Sequence, residues 1–145
     1  MPVEISVADV VTDEIVQAFA QLIPQLSRSN PAPTHAQLTA LVAHEACHLL
    51  LARDTDSGAI IGSLTLVVFP IPTATRAWIE DVVVDGNARG SGAGAALSTA
   101  ALGLAATFGA KTVELSSRPA REAANRLYQR LGFVKRDTNI YRYSL

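Results

Sequence analysis

One stretch constrains this chain more than any other: Val82-Val83-Val84-Asp85-Gly86-Asn87-Ala88-Arg89-Gly90-Ser91-Gly92-Ala93-Gly94-Ala95-Ala96-Leu97. An apolar, β-branched run gives way to a short polar loop and then to an alanine-rich segment that opens on glycines, which predicts a buried strand, a loop and a helix. The first turn of a helix carries backbone N–H groups without partners and the positive end of the macrodipole, so an anion placed there is held mainly by main chain. Gly90, Gly92 and Gly94 take away the Cβ atoms that would stand between those amides and a pyrophosphate. The stretch reads as a phosphate cradle.

Three kinds of cradle fit that description. A Walker loop ends on Gly-Lys-Ser/Thr, and nothing of the kind follows Gly94. Gly90 to Ala95 matches the dinucleotide pattern G-x-G-x-x-G/A, but that pattern wants its first glycine almost directly after the strand and an acid at the tip of the next one. Here Asp85 to Arg89 intervene, and Glu114 lies inside the next strand. What remains is Arg-x-x-Gly-x-Gly, Arg89 through Gly94, after a valine-rich strand. It resembles the pyrophosphate loop of the GNAT superfamily of acetyl-CoA-dependent N-acetyltransferases. A second segment, Ala123-Ala124-Asn125-Arg126-Leu127-Tyr128-Gln129-Arg130-Leu131-Gly132-Phe133, is similar to a later helix of that family with its Tyr-x-x-x-Gly-Phe ending. Between them lie a helix-length alanine-rich segment and the strand Lys111 to Ser116, so the family's element order recurs over residues 78–143, nearly half of the chain.

The resemblance implies an α/β three-layer domain with a central, mixed, mostly antiparallel twisted sheet of about seven strands and about four helices. It implies acetyl-CoA as cosubstrate. Main chain of Val82, Val83 and Val84 would bind the pantetheine arm and polarise the thioester carbonyl. Arg89, Gly90, Ser91, Gly92, Ala93, Gly94 and Ala95 would hold the pyrophosphate. Acyl transfer in this family is a direct attack by the amine, so no nucleophilic side chain is needed, only an oxyanion donor, a proton route and an acid for the departing thiolate. Tyr128 matches the tyrosine that supplies that acid in many members, and a phenol with an ordinary pKa of about 10 suits the task; the plain alternative is an amphipathic core tyrosine. Arg121 departs from the pattern, standing seven residues before Tyr128 where many members carry an asparagine. With Arg118 it either meets the cofactor's phosphates or caps the helix.

Glu80 and Asp81 interrupt an otherwise apolar strand, and burying two carboxylates is costly, so one of them should face water. Strand alternation sets Glu80 with Val82 and Val84 on one face and Asp81 with Val83 on the other, unless a bulge intervenes. Glu80 is the favoured general base, directly or through water, or a charge partner for the amine. A salt bridge to an arginine accounts for either acid equally well.

At 145 residues with 49% hydrophobic composition, the chain is long enough for one cored domain spanning residues 1–145. Its apolar runs fall short of the ~20 residues a membrane span needs, and the acidic start lacks a secretory signal, so a cytoplasmic location is expected. Residues 1–72 hold two basic and seven acidic groups (net −5), while residues 73–145 hold ten and six (net +4). The cationic half carries the cradle, in keeping with a phosphate-bearing cofactor. No basic, aromatic-interleaved stripe suggests nucleic acid. The single Cys47 sits in an apolar tract as a packed thiol; His44 and His48 stand at i, i+4, a metal pair if helical, but a helix end is the expected context there, so no metal site is expected.

Along the rest of the chain, Val3 to Val7 alternates as a strand, and Thr12 caps a helix with Ile15, Phe19, Leu22 and Ile23 on one face. Thr34-His35-Ala36-Gln37 has the form of a capping box opening a helix with Leu38, Leu41, Val42 and Glu45. His48 to Arg53 and Ala59 to Val68 form an expected hairpin, and Phe69 to Thr75 reads as a mobile linker beside an acceptor pocket. Leu97, Ala101, Leu104 and Phe108 are the expected buried face of the helix Ser91 to Phe108, with Gly109 closing it. Phe133 to Arg136 and Ile140 to Ser144 read as closing strands joined by Asp137-Thr138-Asn139.

The leading function is therefore transfer of acetyl from acetyl-CoA to a small primary amine. Protein N-terminal or lysine acetylation and a non-catalytic acyl-CoA-binding module are the competing readings, with a nucleotide oxidoreductase further off. Ile79 to Val84 is similar to the matching strand of glucosamine-6-phosphate N-acetyltransferases, but no basic loop for a sugar phosphate is evident. A homodimer is a further expectation, since dimerisation is common in the family.

Overall fold

The computed structural model describes residues 2–145, which fall into two compact units, one ending at Leu115 and one spanning Ser116–Leu145. The first unit carries β1 (Val3–Val7), α1 (Asp13–Leu26), α2 (His35–Ala43), β2 (Cys47–Asp54), β3 (Ile60–Ile71), β4 (Ala74–Val84), α3 (Ala93–Thr107) and β5 (Thr112–Glu114). Sheet order follows chain order, β1 to β5. The first three pairings are antiparallel and β4 with β5 is parallel, so the sheet is mixed and mostly antiparallel.

Helices cover both faces of this sheet. Leu49 and Leu51 of β2 join Val11, Ile15, Phe19 and Leu38 in one core cluster, under α1 and α2. On the other face, a methyl at Gly62 would stand 3.3 Å from the Leu97 Cδ1 of α3 and 3.0 Å from the Val83 carbonyl. Ala52 lies directly opposite Gly62. Small residues there let α3 lie close to the sheet. The result is three layers, and Leu49 through Ala52 are buried without a break because a strand covered on both sides has no solvent face.

Local signals set the helix starts. Thr12 accepts a hydrogen bond from the Ile15 amide, and Thr34 and Gln37 form the reciprocal capping box. Helix α2 ends at Ala43, so Glu45 lies beyond it. Helix α3 starts later than its sequence suggested, with Gly92 as cap. Its buried face is Ala93, Leu97, Ala101 and Ala105 with Ser98, while Phe108 is largely exposed and stacks on His48 at 4.5 Å. Close approach to the sheet favours the alanine row over the bulkier Leu104 and Phe108.

The tract from Phe69 to Thr75 is no linker. Phe69 pairs with Arg76, Pro70 with Thr75 and Ile71 with Ala74, around a turn at Pro72 and Thr73. Pro70 is tolerated because the pairing with β2 runs out at Val67, leaving its missing N–H on an open edge.

The second unit holds α4 (Glu122–Arg130). Residues 133–145 enter neither helix nor strand, so the two closing strands expected there are not formed. The sheet has five strands where about seven were anticipated. The apolar alternation is present, but these residues are not part of the five-stranded sheet.

Candidate functional site

Strand β4 is paired along its whole length on one side only. On the other, β5 meets it at Arg76, Ala77 and Trp78 alone, a junction pinned by the Arg76–Glu114 ion pair at 2.9 Å. From Ile79 to Val84 that edge of β4 has no strand beside it among the described residues. Its backbone N–H and C=O groups are open to an extended ligand that pairs as a strand would.

Within this open stretch the pairing with β3 slips. Ser63 faces Val83 and Thr65 faces Glu80, so Asp81 and Val82 together oppose Leu64. This is a β-bulge, and Asp81 takes a left-handed φ of 49°, a conformation aspartate tolerates better than most residues. The extra residue breaks the alternation anticipated for the strand. Glu80 and Asp81 are both exposed, Val83 is buried, and Val82 and Val84 are half-buried. Along this open edge the backbone of the three valines is available for pairing. Desolvation first, and then the Asp81 charge, push the Glu80 carboxyl above the usual range; the side chain still meets water, which screens the push.

Past Val84 the chain turns through a short 3₁₀ segment, Gly86–Ala88. Asp85 starts it, its carboxylate accepting from the Asn87 amide at 2.9 Å. Two glutamines of α1 hold the turn from outside. Gln21 donates through Nε2 to Asp85 Oδ2 at 2.8 Å, and Gln25 Oε1 accepts from the Gly86 amide at 2.8 Å. Sequence reading missed both, and no local pattern could have marked them.

Gly90 and Gly92 follow with φ of 82° and 85°. A Cβ at either would meet no protein atom within 4 Å, so their glycine identity answers to backbone conformation and the space before them is open. Gly92 caps α3 without a side-chain hydrogen bond, and the Ala93 amide donates to Ser91 Oγ at 3.3 Å. Ala93 turns its methyl into the core, while Gly94 and Ala95 follow in the first turn, half-buried. Arg89 is exposed and in no ion pair among the described residues. The first unit thus brings Glu80, Asp81, the three valines and the segment Arg89 to Ala95 onto one continuous strand, turn and helix start.

In the second unit, Tyr128 is buried on α4. Gly132, with φ of 101°, ends the helix. Its amide donates to the Gln129 carbonyl at 3.1 Å and the Phe133 amide to the Tyr128 carbonyl at 3.0 Å, a Schellman motif. The Tyr128 and Phe133 rings meet edge to face at 5.7 Å, the apolar contact that accompanies such an ending. Tyr-x-x-x-Gly-Phe therefore has a structural reason before any chemical one. Burial pushes the Tyr128 phenol up, with the Arg121 charge opposing it, so the hydroxyl is protonated at neutral pH. Arg121 stands exposed at the N-cap of α4. Ser117, unremarked in the sequence, has a buried Oγ without a hydrogen-bond partner.

Cys47 and His48 stay apart from these elements, on β2, where desolvation lowers the His48 pKa. No group of three or more His, Cys, Asp or Glu side chains is placed to hold a metal ion among the described residues. No helix among them is long and apolar enough to cross a membrane.

The model describing the acetyltransferase (GNAT) family matches residues 13–133. Among solved structures, an acetyltransferase from Trypanosoma brucei is 25% identical with a TM-score of 0.80, covering 99% of this chain and 100% of its own. Glucosamine-6-phosphate N-acetyltransferase from Arabidopsis thaliana is 16% identical with a TM-score of 0.79, covering 97% and 98%. Ribosomal-protein-alanine N-acetyltransferase from Brucella melitensis biovar Abortus 2308 is 19% identical with a TM-score of 0.78, covering 99% of both chains. Among curated proteins none matches the chain.

Proposed function

We propose, from the premise that this chain belongs to the acetyltransferase (GNAT) family, that it moves an acetyl group from acetyl-CoA to a small primary amine, as a single N-acetyltransferase domain acting in the cytoplasm. The observation that carries the reading is the β4 edge from Ile79 to Val84, open to main-chain pairing and running straight into a glycine cradle with clear space before it. An extended amide arm fits the first part and a pyrophosphate the second. Acetyl-CoA supplies an activated thioester. Main-chain amides of Val82, Val83 and Val84 orient its arm and polarise the carbonyl; Arg89 and the segment Gly90 to Ala95 hold its phosphates, with Arg121 a further cationic contact. In the second unit, Ser117 Oγ is a hydroxyl whose unmet hydrogen bond a ligand can complete.

In the reaction, the amine nitrogen bonds to the acetyl carbon and the carbon–sulfur bond breaks. Glu80, or water held by it, takes the proton the amine sheds, with Asp81 keeping the local charge that favours a cationic acceptor. Tyr128 gives its phenolic proton to the departing thiolate and regains one from solvent. Its protonated state at neutral pH suits that role.

The relatives' names span a sugar phosphate, a protein alanine and, in a structure 21% identical, an aminoglycoside. The small-amine reading is preferred because Glu80 and Asp81 are both exposed on the open strand, where a carboxylate pair draws an ammonium. Calorimetric titration with acetyl-CoA, followed by an amine panel read by release of free thiol, tests the proposal. Micromolar binding with amine-dependent thiol release supports it; binding without turnover on any amine or N-terminal peptide would instead favour an acyl-CoA-binding module.

A further inference from the structure

Leu49 of β2 faces Thr65 of β3, and Thr65 faces Glu80 of β4, so the three share the side of the sheet that α1 and α2 cover. On that side Val67 and then Phe69 follow Thr65 along β3, while Trp78 and then Arg76 precede Glu80 along β4. The cover thins across the row. Leu49 is 1% exposed, Thr65 is half-buried and Glu80 is exposed. Val67, Phe69 and Trp78 are half-buried too, and among the described residues they stand outside the core cluster under the two helices and outside the side chains packed against it. What remains is an apolar floor that ends at a carboxylate.

The floor has a definite chemistry. Val67 is paired with Trp78, and Phe69 lies diagonal to Trp78, within reach of a large ring. Neither Phe69 nor Trp78 stacks on another aromatic ring among the described residues. The cation on this side of β4, Arg76, is tied to Glu114 at 2.9 Å, so a sugar phosphate meets a guanidinium already engaged. Sugar hydroxyls laid on Val67, Phe69 and Trp78 would lose water without gaining partners. An apolar lining with one polar group at its end holds an apolar body and fixes a charged head.

We propose that this surface selects the acceptor, an arylalkylamine by chemical class, with its ammonium on Glu80 and its ring on Trp78, flanked by Val67 and Phe69. The inference rests on the acetyl-transfer reading given above and narrows its acceptor from small primary amines to those with a flat apolar body. Two residues of strand set Trp78 about 6–7 Å from Glu80, an interval covered by a short alkyl spacer that ends in a ring. The ammonium sheds one proton to Glu80, or to water held by it, before the nitrogen attacks. Trp78 and Phe69 touch only the acceptor's body, so they set specificity and leave the reacting atoms alone.

Trp78 is the single tryptophan of the chain, so its fluorescence reads the floor directly. In the presence of coenzyme A, phenylethylamine should change that fluorescence to saturation, and glucosamine, which carries the same charge, should not. With acetyl-CoA, thiol release should favour phenylethylamine over glucosamine and over an alanine-headed peptide by at least about tenfold in kcat/KM. Phe69 lies beyond the last pairing with β2, so Phe69→Thr should keep the fold. It should weaken phenylethylamine at least about fivefold and leave acetyl-CoA affinity unchanged. Saturable phenylethylamine binding without thiol release from any amine would support the surface and remove the transfer reading. Turnover that prefers glucosamine or the peptide would overturn the proposal and leave acetyl transfer standing. Fluorescence unmoved by phenylethylamine, or a Phe69→Thr variant that binds it as tightly as wild type, would overturn it as well.

Discussion

Gln21 of α1 donates a hydrogen bond to the carboxylate of Asp85 at 2.8 Å, joining positions 64 residues apart and holding the turn that leads into the glycine cradle. Gln21→Leu keeps the helix and strands one oxygen of a largely buried carboxylate. A lost hydrogen bond to a charged group costs about 1–2 kcal/mol. Urea unfolding should show that loss, and calorimetry should show acetyl-CoA binding weakened several-fold. Unchanged binding in a destabilised variant would make the contact purely structural.

Gly92 stands at φ 85° where α3 begins. Any side chain there meets open space but a left-handed backbone, costing about 1–2 kcal/mol. Gly92→Ala should carry that cost alone, while Gly92→Val should also crowd the amides and cut acetyl-CoA affinity at least tenfold. Equal affinities for wild type and Val variant would leave the cradle without a ligand role.

Tyr128→Phe leaves the edge-to-face contact with Phe133 and the Schellman ending in place. Folding should survive. With the thiolate's proton donor gone, kcat should fall at least roughly tenfold with little change in acetyl-CoA affinity, general acid catalysis commonly contributing about 100-fold or more. A wild-type kcat would return Tyr128 to a packing role.

Ser117→Ala separates ligand binding from stability. Removing a buried hydroxyl with no partner should leave the unfolding midpoint unchanged or raised. If that hydroxyl bonds acetyl-CoA, affinity should drop about three- to tenfold. A lower midpoint with intact affinity would contradict the assignment.

Glu80 has its pKa raised by folding. A carboxyl of this kind contributes stability below its unfolded pKa, near 4.3, and that contribution is lost as pH rises through the folded value. Glu80→Gln should therefore match or slightly exceed wild type in melting temperature at pH 7 and lose the advantage below about pH 4. If Glu80 takes the amine's proton, the variant's kcat/KM should also lose the acid limb that titrates above the ordinary carboxylate range. The same limb in the Gln variant would assign the base to another group.

Features written in neighbouring residues were the most legible. Thr12, the Thr34 and Gln37 box and the bounds of β1 each rest on contacts within a few positions. The candidate strand and cradle were legible for the same reason, being one unbroken stretch. Pro70 and Pro72 looked like a linker because prolines usually interrupt strands, and nothing local says that β2 has ended beside them. The buried row of α3 was misjudged because size suggested Leu104 and Phe108, whereas the approach to Gly62 selects alanines. Gln21 and Gln25 left no trace, since their partners lie more than sixty residues downstream. The closing strands were read from a true alternation that alone does not make a strand.

The coincidence of sheet order with chain order bears on how the first unit is made. Each strand from β2 to β4 pairs with the one synthesised just before it; α1 and α2 lie between β1 and β2, while short turns at Asp54 to Gly58 and at Pro72 and Thr73 join the other two pairs. A nascent chain that has emerged as far as Val84 already holds every antiparallel pair, and only the parallel strand waits for a helix. Parallel pairing is the slower kind, because a crossover must be closed before it yields a contact. The ribosome thus releases the meander early and the junction of β4 with β5 late, so that a stalled chain would carry an ordered sheet with its widest edge bare.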